Sequence, residues 1–154
     1  MKNKLTCLVA TSLVATSPAW AALGGEPSYA GVRNAPDVRV MVAGKAATAP
    51  YTVNTTTLAN GAVIREYLDA KGVVFAVSWR GPRVESLETL LGKYFPTWQK
   101  ALSSAHSARG GGYGPVSLHE DDLVVESGGH MGALRGRAWL PHALPQDVSA
   151  DQIQ

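Results

Sequence analysis

The chain has 154 residues, enough for one domain, and 45% of them are hydrophobic and 17% charged. Its formal net charge of +2 depends on Lys2 and Lys4, without which basic and acidic residues balance. A balanced charge gives no long-range attraction to nucleic acid or anionic lipid, so we expect no nucleic-acid partner.

Residues 1–21 have the three-part pattern of a secretory signal peptide. A short basic start precedes an apolar run over residues 5–15, and Ala19-Trp20-Ala21 matches a cleavage site. The apolar run is shorter than the roughly 20 residues of a spanning helix, so we expect cleavage after Ala21 and no membrane span in the remaining chain. We therefore predict a periplasmic or secreted protein. Because Cys7 would leave with the signal peptide, the mature chain would be cysteine-free and would have neither a disulfide nor a thiolate ligand.

Residues 22–50 are rich in Ala, Gly, Pro and Val and show little periodicity. This composition favours a flexible lead-in. The alternative is that residues 37–42 form a short strand docked at the edge of a sheet. We expect the folded domain itself to span residues 51–141.

Residues 51–79 predict a three-stranded antiparallel meander. Three runs rich in Val, Ile, Thr and aromatic residues are separated by Asn60-Gly61 and by Asp69-Ala70-Lys71-Gly72. Asn-Gly is typical of a type I′ turn, which needs a positive φ at both central residues. In the second loop, Asp69 favours the start of a type I turn, and Gly72 can supply the left-handed residue of a bulge.

The register of the second hairpin decides which side chains face the core, because a slip of one residue exchanges the two faces. We favour a bulged loop, which gives Gly72 a role and predicts three neighbouring pairs: Tyr67 with Phe75, Arg65 with Val77, and Val63 with Trp79. A plain two-residue turn instead predicts one shared face: Ile64, Glu66, Leu68, Phe75 and Val77. In that alternative, burial would raise the pKa of Glu66, although most glutamates are solvated or paired with arginine.

Residues 86–102 predict an amphipathic helix. Ser86 is a suitable N-cap, and apolar residues follow at the spacing of one helix face: Leu87, Leu90, Leu91, Tyr94, Phe95, Trp98, Ala101 and Leu102. Pro96 lacks a backbone N–H and disfavours helical geometry in the preceding residue. We therefore expect a kink or break near Tyr94-Phe95, with Pro96 at the start of a second helix.

Residues 123–140 predict a C-terminal hairpin with Gly129-His130 at its turn, where Gly in the first central position suits type II′. Alternation directs one set of side chains toward the helix: Leu123, Val125, Leu134, Gly136, Ala138 and Leu140. The other set faces away: Asp122, Val124, Glu126, Arg135, Arg137 and Trp139. Residues 142–154 are polar and are expected to form a frayed tail.

These elements predict a small α+β domain. Its antiparallel sheet would have about five strands, supplied by the meander and the C-terminal hairpin. One kinked amphipathic helix, which lies between the two strand groups in the chain, would pack on one face of the sheet.

The catalytic motifs in the chain are incomplete. His119-Glu120 begins like a zinc-protease signature, but Leu123 occupies the position of the second histidine. Ser127 lacks the preceding glycine of a nucleophile elbow. We therefore favour a non-catalytic protein without a cofactor. The alternative is a metal-binding protein or metal-dependent hydrolase whose site is assembled in space from His119, Asp121 and His130.

The outward face of the last hairpin is the candidate binding surface. Arg135, Arg137 and Trp139 form a basic and aromatic strip that can hold a carboxylate, a glycan or a peptide. His130 at the hairpin tip is a further candidate; in the alternative interpretation the glycines serve the turn and His130 is only a tolerated tip residue. The competing interpretation is local charge balance, since acidic side chains of the other strand lie near the arginines and such pairs are ordinary. We predict a binding or accessory module whose partner is an envelope protein, a glycan or a peptide.

The chain also contains four distinctive stretches: ALGGEPS (22–28), REYLDAKGVVFAVSWRGP (65–82), LETLLGKYF (87–95) and LVVESGGHMGALRGRAWLP (123–141). Together they resemble a family of exported bacterial proteins catalogued as domain of unknown function 2844. The resemblance covers nearly the whole chain after residue 21. It implies a signal peptide followed by one small domain, and it assigns no catalytic residue, cofactor or substrate.

Overall fold

The computed structural model describes residues 23–29, 39–43, 50–83, 87–112 and 114–154. The predicted signal peptide and the predicted N-cap Ser86 lie outside these residues. The described residues form seven strands: β1 (Arg39–Ala43), β2 (Thr52–Thr57), β3 (Val63–Leu68), β4 (Val74–Gly81), β5 (Val116–His119), β6 (Val124–His130) and β7 (Ala133–Trp139). The helices are α1 (Leu87–Leu91) and α2 (Phe95–Ala108), and 3-10 turns cover Gly92–Tyr94, Pro141–Ala143 and Ala150–Gln152.

All seven strands belong to one antiparallel sheet with the order β1-β2-β3-β4-β7-β6-β5. The α+β class is confirmed, but the predicted number of about five strands is too low because a short strand extends each edge. β1 pairs with β2, and β5, which follows the glycine-rich sequence of residues 110–114 and has only four residues, pairs with β6. The pairing of β4 with β7 joins the meander and the C-terminal hairpin into one surface.

The N-terminal strap (residues 23–29) is bound to the domain by main-chain hydrogen bonds. The Leu23 N–H donates to the Leu90 carbonyl at 3.1 Å, and the Gly24 N–H donates to the Val74 carbonyl at 2.7 Å. Leu23 is buried. The strap and β1 therefore belong to the folded domain, in contrast to the flexible lead-in expected over residues 22–50, because composition does not reveal such main-chain pairing.

Both loops of the meander have the same geometry. The Gly61 N–H donates to the Leu58 carbonyl at 2.9 Å, and the Gly72 N–H donates to the Asp69 carbonyl at 3.0 Å. The two glycines have φ of 81° and 82°, whereas Asn60 does not have a positive φ. The type I′ turn predicted at Asn60-Gly61 is therefore wrong, and the turn predicted from Asp69 to Gly72 is confirmed.

A bulge in β4 changes the register of the β3–β4 pairing close to the loop that joins these strands. Next to the loop, Leu68 pairs with Val74, as the bulged loop predicts. The register then shifts by one residue, so that Tyr67 pairs with Ala76 and Phe75 is the extra residue. The main-chain carbonyl of Phe75 accepts a hydrogen bond from outside β3, and the ring packs on the sheet face opposite the helix.

Beyond this bulge, each residue of β3 pairs with the β4 residue one position later than the favoured register predicted. Ile64 pairs with Trp79 and Glu66 pairs with Val77, on the side that the helix covers. The neighbours favoured from the sequence are therefore wrong by one residue: Tyr67 with Phe75, Arg65 with Val77, and Val63 with Trp79. As the alternative register predicted, Glu66 points into the core, and it is 1% exposed.

The helical segment breaks where Pro96 predicts it. A 3-10 turn over Gly92–Tyr94 separates α1 from α2, and Pro96 lies in the first turn of α2. Leu90, Leu91 and Trp98 are fully buried against the sheet. The surface that they cover, here called the helix face, includes the predicted inward residues of the last hairpin: Leu123, Val125, Ala138 and Leu140.

The turn of the C-terminal hairpin lies two residues beyond its predicted position. His130 pairs with Ala133, so Met131 and Gly132 form the turn, and the turn predicted at Gly129-His130 is wrong. The two sets of alternating side chains are nevertheless confirmed, because an even shift leaves each side chain on its original face.

The opposite side of the sheet, here called the tail face, is covered by the C-terminal tail (residues 142–154). Ile153 is 1% exposed and packs with Tyr67, Phe75 and Trp139. Val148 and Leu144 pack against the same cluster. The prediction of a frayed tail is therefore wrong, because apolar side chains of the tail pack on this cluster and side chains of the sheet donate hydrogen bonds to main-chain oxygens of a segment whose overall composition is polar.

Gly136 allows the close approach of Trp79, its partner across β4 and β7. A Cβ atom at Gly136 would lie 2.4 Å from Cζ2 of Trp79 and 2.7 Å from the main-chain oxygen of Glu126. We expect Gly136→Ala to lower the free energy of unfolding by about 1–3 kcal/mol, the usual effect of overpacking. Urea denaturation followed by circular dichroism measures the difference.

Gly128→Ala is the matched control for Gly136→Ala, since Gly128 lies in the same hairpin. A Cβ atom there would meet Pro115 at an ordinary 3.6 Å. We expect this variant to change stability by no more than about 0.5 kcal/mol. Equal losses in the two variants would show that contact with Trp79 does not decide the effect.

Candidate anion-binding site

Two residues of the predicted binding strip hold the C-terminal tail. Arg137 donates from Nε to Oε2 of Glu126 at 2.8 Å and from its terminal nitrogen to the main-chain oxygen of Ala150 at 2.9 Å. Trp139 is 7% exposed, and its ring lies 5.2 Å from the Arg137 guanidinium. Within the strip, Arg135 is therefore the side chain that remains exposed.

The end of the tail is bound through its backbone. The main-chain oxygen of Gln154 accepts hydrogen bonds from the Tyr67 hydroxyl at 2.9 Å, from the Ser78 hydroxyl at 2.8 Å and from the Arg65 guanidinium. The Gln154 N–H also donates to the Tyr67 hydroxyl at 2.9 Å. The tail face thus binds main-chain oxygens with guanidinium and hydroxyl donors.

Arg80 and Arg135 stand directly opposite each other on β4 and β7. They form the next pair after Ser78 and Arg137 on the tail face, and both are exposed. Neither guanidinium has an ion pair or a hydrogen bond with another residue in the described ranges. Like charges directly opposite on neighbouring strands are unfavourable. An anion bound between them would remove that repulsion and accept charge-assisted hydrogen bonds.

The arginine pair lines an open cleft of about 630 Å³ at the end of the sheet. One wall comes from the end of β4 with its following Pro82, and the other comes from the tip of the β6–β7 hairpin. The described residues that line it are basic, apolar or glycine, including Val63, Arg80, His130, Leu134 and Arg135, and none of these described residues is acidic. His130 is exposed, and its Nδ1 lies 3.0 Å from the main-chain oxygen of Met131. The chemistry of this cleft therefore favours an anionic ligand.

Sequence reasoning found Arg135 and His130 but missed Arg80. Alternation along β4 does place Ser78 and Arg80 on one side, away from the apolar Val77 and Trp79. This pattern marks a polar face, but it does not say which strand lies beside β4. The pairing of β4 with β7, two elements far apart in the chain, is what brings the two arginines together.

The residues of the alternative metal site are not brought together. His119, at the end of β5, has its Nε2 3.7 Å from Oε1 of Glu126. His130 lies at the opposite end of β6, and Asp121 is an exposed residue between β5 and β6. In the part of the chain that the structure describes, no three His, Cys, Asp or Glu side chains are placed to hold a metal ion.

Glu66 is a buried carboxylate that links the sheet to the N-terminal strap. Its Oε1 accepts a hydrogen bond of 2.6 Å from the Ser28 N–H, and the Ser28 hydroxyl and Tyr29 N–H also donate to the carboxylate. Burial disfavours the charged form and raises the pKa of Glu66, although these hydrogen bonds oppose the rise. The Ser28 hydroxyl also lies 3.3 Å from the Thr89 carbonyl of α1. Glu66 therefore connects the strap, α1 and β3, and it lies on the face opposite the arginine pair.

Comparisons with known proteins identify the family of the chain. No curated protein and no solved structure matches it. Among the described residues, no helix combines the length and apolar character needed to cross a membrane. A family model described as "Protein of unknown function (DUF2844)" matches residues 19–153, nearly the whole chain. The resemblance carried by the four sequence stretches is therefore confirmed, and the chain belongs to the DUF2844 family.

Proposed function

We propose that this protein is an exported, non-catalytic binding module that holds an anionic group of a cell-envelope partner between Arg80 and Arg135. The observation that carries the proposal is the placement of two exposed like charges opposite each other, without an acidic partner among the described residues, in an open cleft. Proteins tend to retain locally unfavourable arrangements of this kind at functional sites. The signal-peptide pattern of residues 1–21 supports export.

The chemistry of arginine supports binding rather than proton transfer. A guanidinium remains protonated at physiological pH and has only donors, so the pair does not supply a general base. Each planar fork can donate two parallel hydrogen bonds to a carboxylate or phosphate. Because the pair is exposed and screened by salt, we expect a single small anion to bind with a Kd of about 1 mM.

Inorganic phosphate provides the direct test of the arginine pair. We expect its addition to shift the backbone amide NMR signals of residues 80–81 and 133–136, with saturation at millimolar concentration. The double variant Arg80→Ala/Arg135→Ala is expected to lose these shifts, since both donors are removed. It should keep the fold, because neither side chain has a partner among the described residues.

The control removes two exposed cations elsewhere, in the variant Lys71→Ala/Lys100→Ala. Lys71 lies in the loop between β3 and β4, and Lys100 lies on α2. We expect this variant to bind phosphate like the parent chain, although its formal charge changes by the same amount. Equal loss in both double variants, or unchanged shifts after removal of the arginines, would overturn the proposed site.

A further inference from the structure

We infer that the anionic group belongs to an acidic polypeptide segment that lies extended on the tail face, at the arginine pair next to the site of Gln154. This inference rests on the proposed function and deepens it, since it names the chemical class of the partner. Three features of the structure carry it: the way the tail face binds the chain's own tail, the continuity of the cleft with that site, and the composition of the cleft.

The C-terminal tail shows how the tail face recognises a peptide. Tyr67 and Ser78 donate to a main-chain oxygen of Gln154, and Arg137 donates to the main-chain oxygen of Ala150. In the tail, the side chain that is fully buried is that of Ile153. Recognition therefore uses backbone oxygens and one apolar anchor, a mode that tolerates many sequences.

The cleft adjoins the site of Gln154 on the tail face. Gln154 is bound at Ser78, and the next pair on the same face is Arg80 with Arg135. Two residues along a strand correspond to about 7 Å. A second segment can thus lie next to Gln154 on the same surface without displacing the tail, with its carboxylates at the two guanidinium groups.

The size and apolar content of the cleft favour a peptide over a single ion. A volume of about 630 Å³ is in the range of sites for ligands much larger than phosphate. Val63 pairs with Arg80 on the same side of the sheet and lines the cleft, as does Leu134, which is 37% exposed. These two side chains offer apolar contacts to a ligand whose carboxylates reach the arginines. An extended segment that alternates acidic and apolar residues fits this arrangement, because its side chains point alternately to opposite sides.

An anionic membrane surface fits the cleft less well. Electrostatic binding to such membranes typically uses clusters of about four to eight Lys or Arg residues. The cleft has two arginines, and one of the apolar side chains beside them, Leu134, is only partly exposed. We therefore infer that the partner is a polypeptide, and lipid binding is one of the outcomes that the test distinguishes.

The test measures the binding of a fluorescent, end-blocked peptide (Glu-Val)3 to the full chain by anisotropy. We expect the peptide to bind more tightly than inorganic phosphate and to weaken at high salt. Arg80→Ala/Arg135→Ala is expected to weaken peptide binding by about tenfold or more, whereas Lys71→Ala/Lys100→Ala changes it by less than about twofold. A (Lys-Val)3 peptide is expected not to bind the parent chain.

Charge reversal gives a second, independent readout. The variant Arg80→Glu/Arg135→Glu is expected to lose (Glu-Val)3 and to bind (Lys-Val)3, because the cleft then carries carboxylates. Circular dichroism of each variant checks the fold. Failure of this exchange in a folded variant would overturn the inference.

The outcomes separate the inference from the proposed function. If phosphate binds through the arginines but (Glu-Val)3 binds no more tightly, the inference is overturned and the anion site stands. Arginine-dependent binding to vesicles of phosphatidylcholine and phosphatidylserine, without peptide binding, also overturns it in favour of lipid. If neither phosphate nor peptide depends on Arg80 and Arg135, both proposals are overturned.

Discussion

Replacing Ile153 with Ala is expected to lower the free energy of unfolding by about 2–5 kcal/mol, the range for large-to-small changes in a core. Ile153 is 1% exposed and packs with Tyr67, Phe75 and Trp139. The truncation leaves a cavity between the tail and the sheet. It also loosens the attachment of Gln154, whose main-chain oxygen is held by the neighbouring donors. Urea denaturation followed by circular dichroism and tryptophan fluorescence measures the loss.

The control for this prediction is Gln152→Ala, one residue earlier in the tail. Gln152 is exposed, so its truncation is expected to change stability by no more than about 0.5 kcal/mol. Similar small effects in the two variants would mean that the tail is frayed, as its polar composition suggested. A large effect confined to Ile153 would establish the tail as part of the folded domain.

Replacing Glu66 with Ala is expected to lower the free energy of unfolding by about 2 kcal/mol or more, because buried donors left without an acceptor are unfavourable by about 1–3 kcal/mol each. The N–H groups of Ser28 and Tyr29 would lose their carboxylate partner. The N-terminal strap is therefore expected to detach from the sheet. Urea denaturation measures the global loss, and amide hydrogen exchange at Ser28 and Gly24 reports local opening of the strap.

Glu66→Gln tests the pH dependence that burial imposes. Because burial raises the pKa of Glu66 in the folded protein, the folded state binds this proton more tightly than the unfolded state. Protonated Glu66 therefore makes its whole contribution to the free energy of unfolding at pH values below the ordinary pKa of glutamate. This contribution is lost as the pH rises through the raised pKa. The stability of Glu66→Gln relative to the parent chain is therefore expected to increase with pH across this window.

The control for the pH series is Glu88→Gln, which removes an exposed carboxylate from α1. We expect its stability to follow the parent chain at every pH from 4 to 8, values chosen to span the ordinary pKa of a carboxyl group. A relative stability of Glu66→Gln that falls as the pH rises would contradict a raised pKa at Glu66. Chemical denaturation at closely spaced pH values provides the measurement.

Local patterns predicted the elements and the faces that depend only on neighbouring residues. The helical break preceding Pro96 follows from a missing N–H and a steric clash, both local effects. The two faces of β7 follow from strict alternation, so they survived an error of two residues in the position of the turn. The turn from Asp69 to Gly72 likewise depends on the conformational preferences of its own residues.

The pairing of strands that lie far apart in the chain decided which residues form most of the candidate site. Arg135 was identified as a surface cation from alternation, but its partner Arg80 became visible only when β4 was placed beside β7. Arg137 and Trp139 were expected on the same binding strip, and the tail covers both. That cover depends on one buried isoleucine and on backbone oxygens, which leave no periodic signal in the sequence.

Burial of Glu66 has a similar origin. The loop at Gly72 begins one register, and the bulge at Phe75 changes it within two residues of the loop. The extra residue is accommodated because its main-chain carbonyl bonds to Leu140 and its ring packs near Tyr51 and Tyr67. These partners come from distant parts of the chain, so the local sequence around β4 does not specify the shift.

The sequence by itself determined the α+β class, the broken amphipathic helix and the alternating faces of the last hairpin, because backbone preferences and side-chain periodicity act over a few residues. Only the tertiary structure decided that the described residues form a sheet of seven strands, that Glu66 is buried, and that Arg80 meets Arg135 while the tail covers their neighbours. Those outcomes depend on contacts between segments far apart in the chain, where the combined packing of side chains and satisfaction of backbone hydrogen bonds selects the partner and no local pattern reveals it.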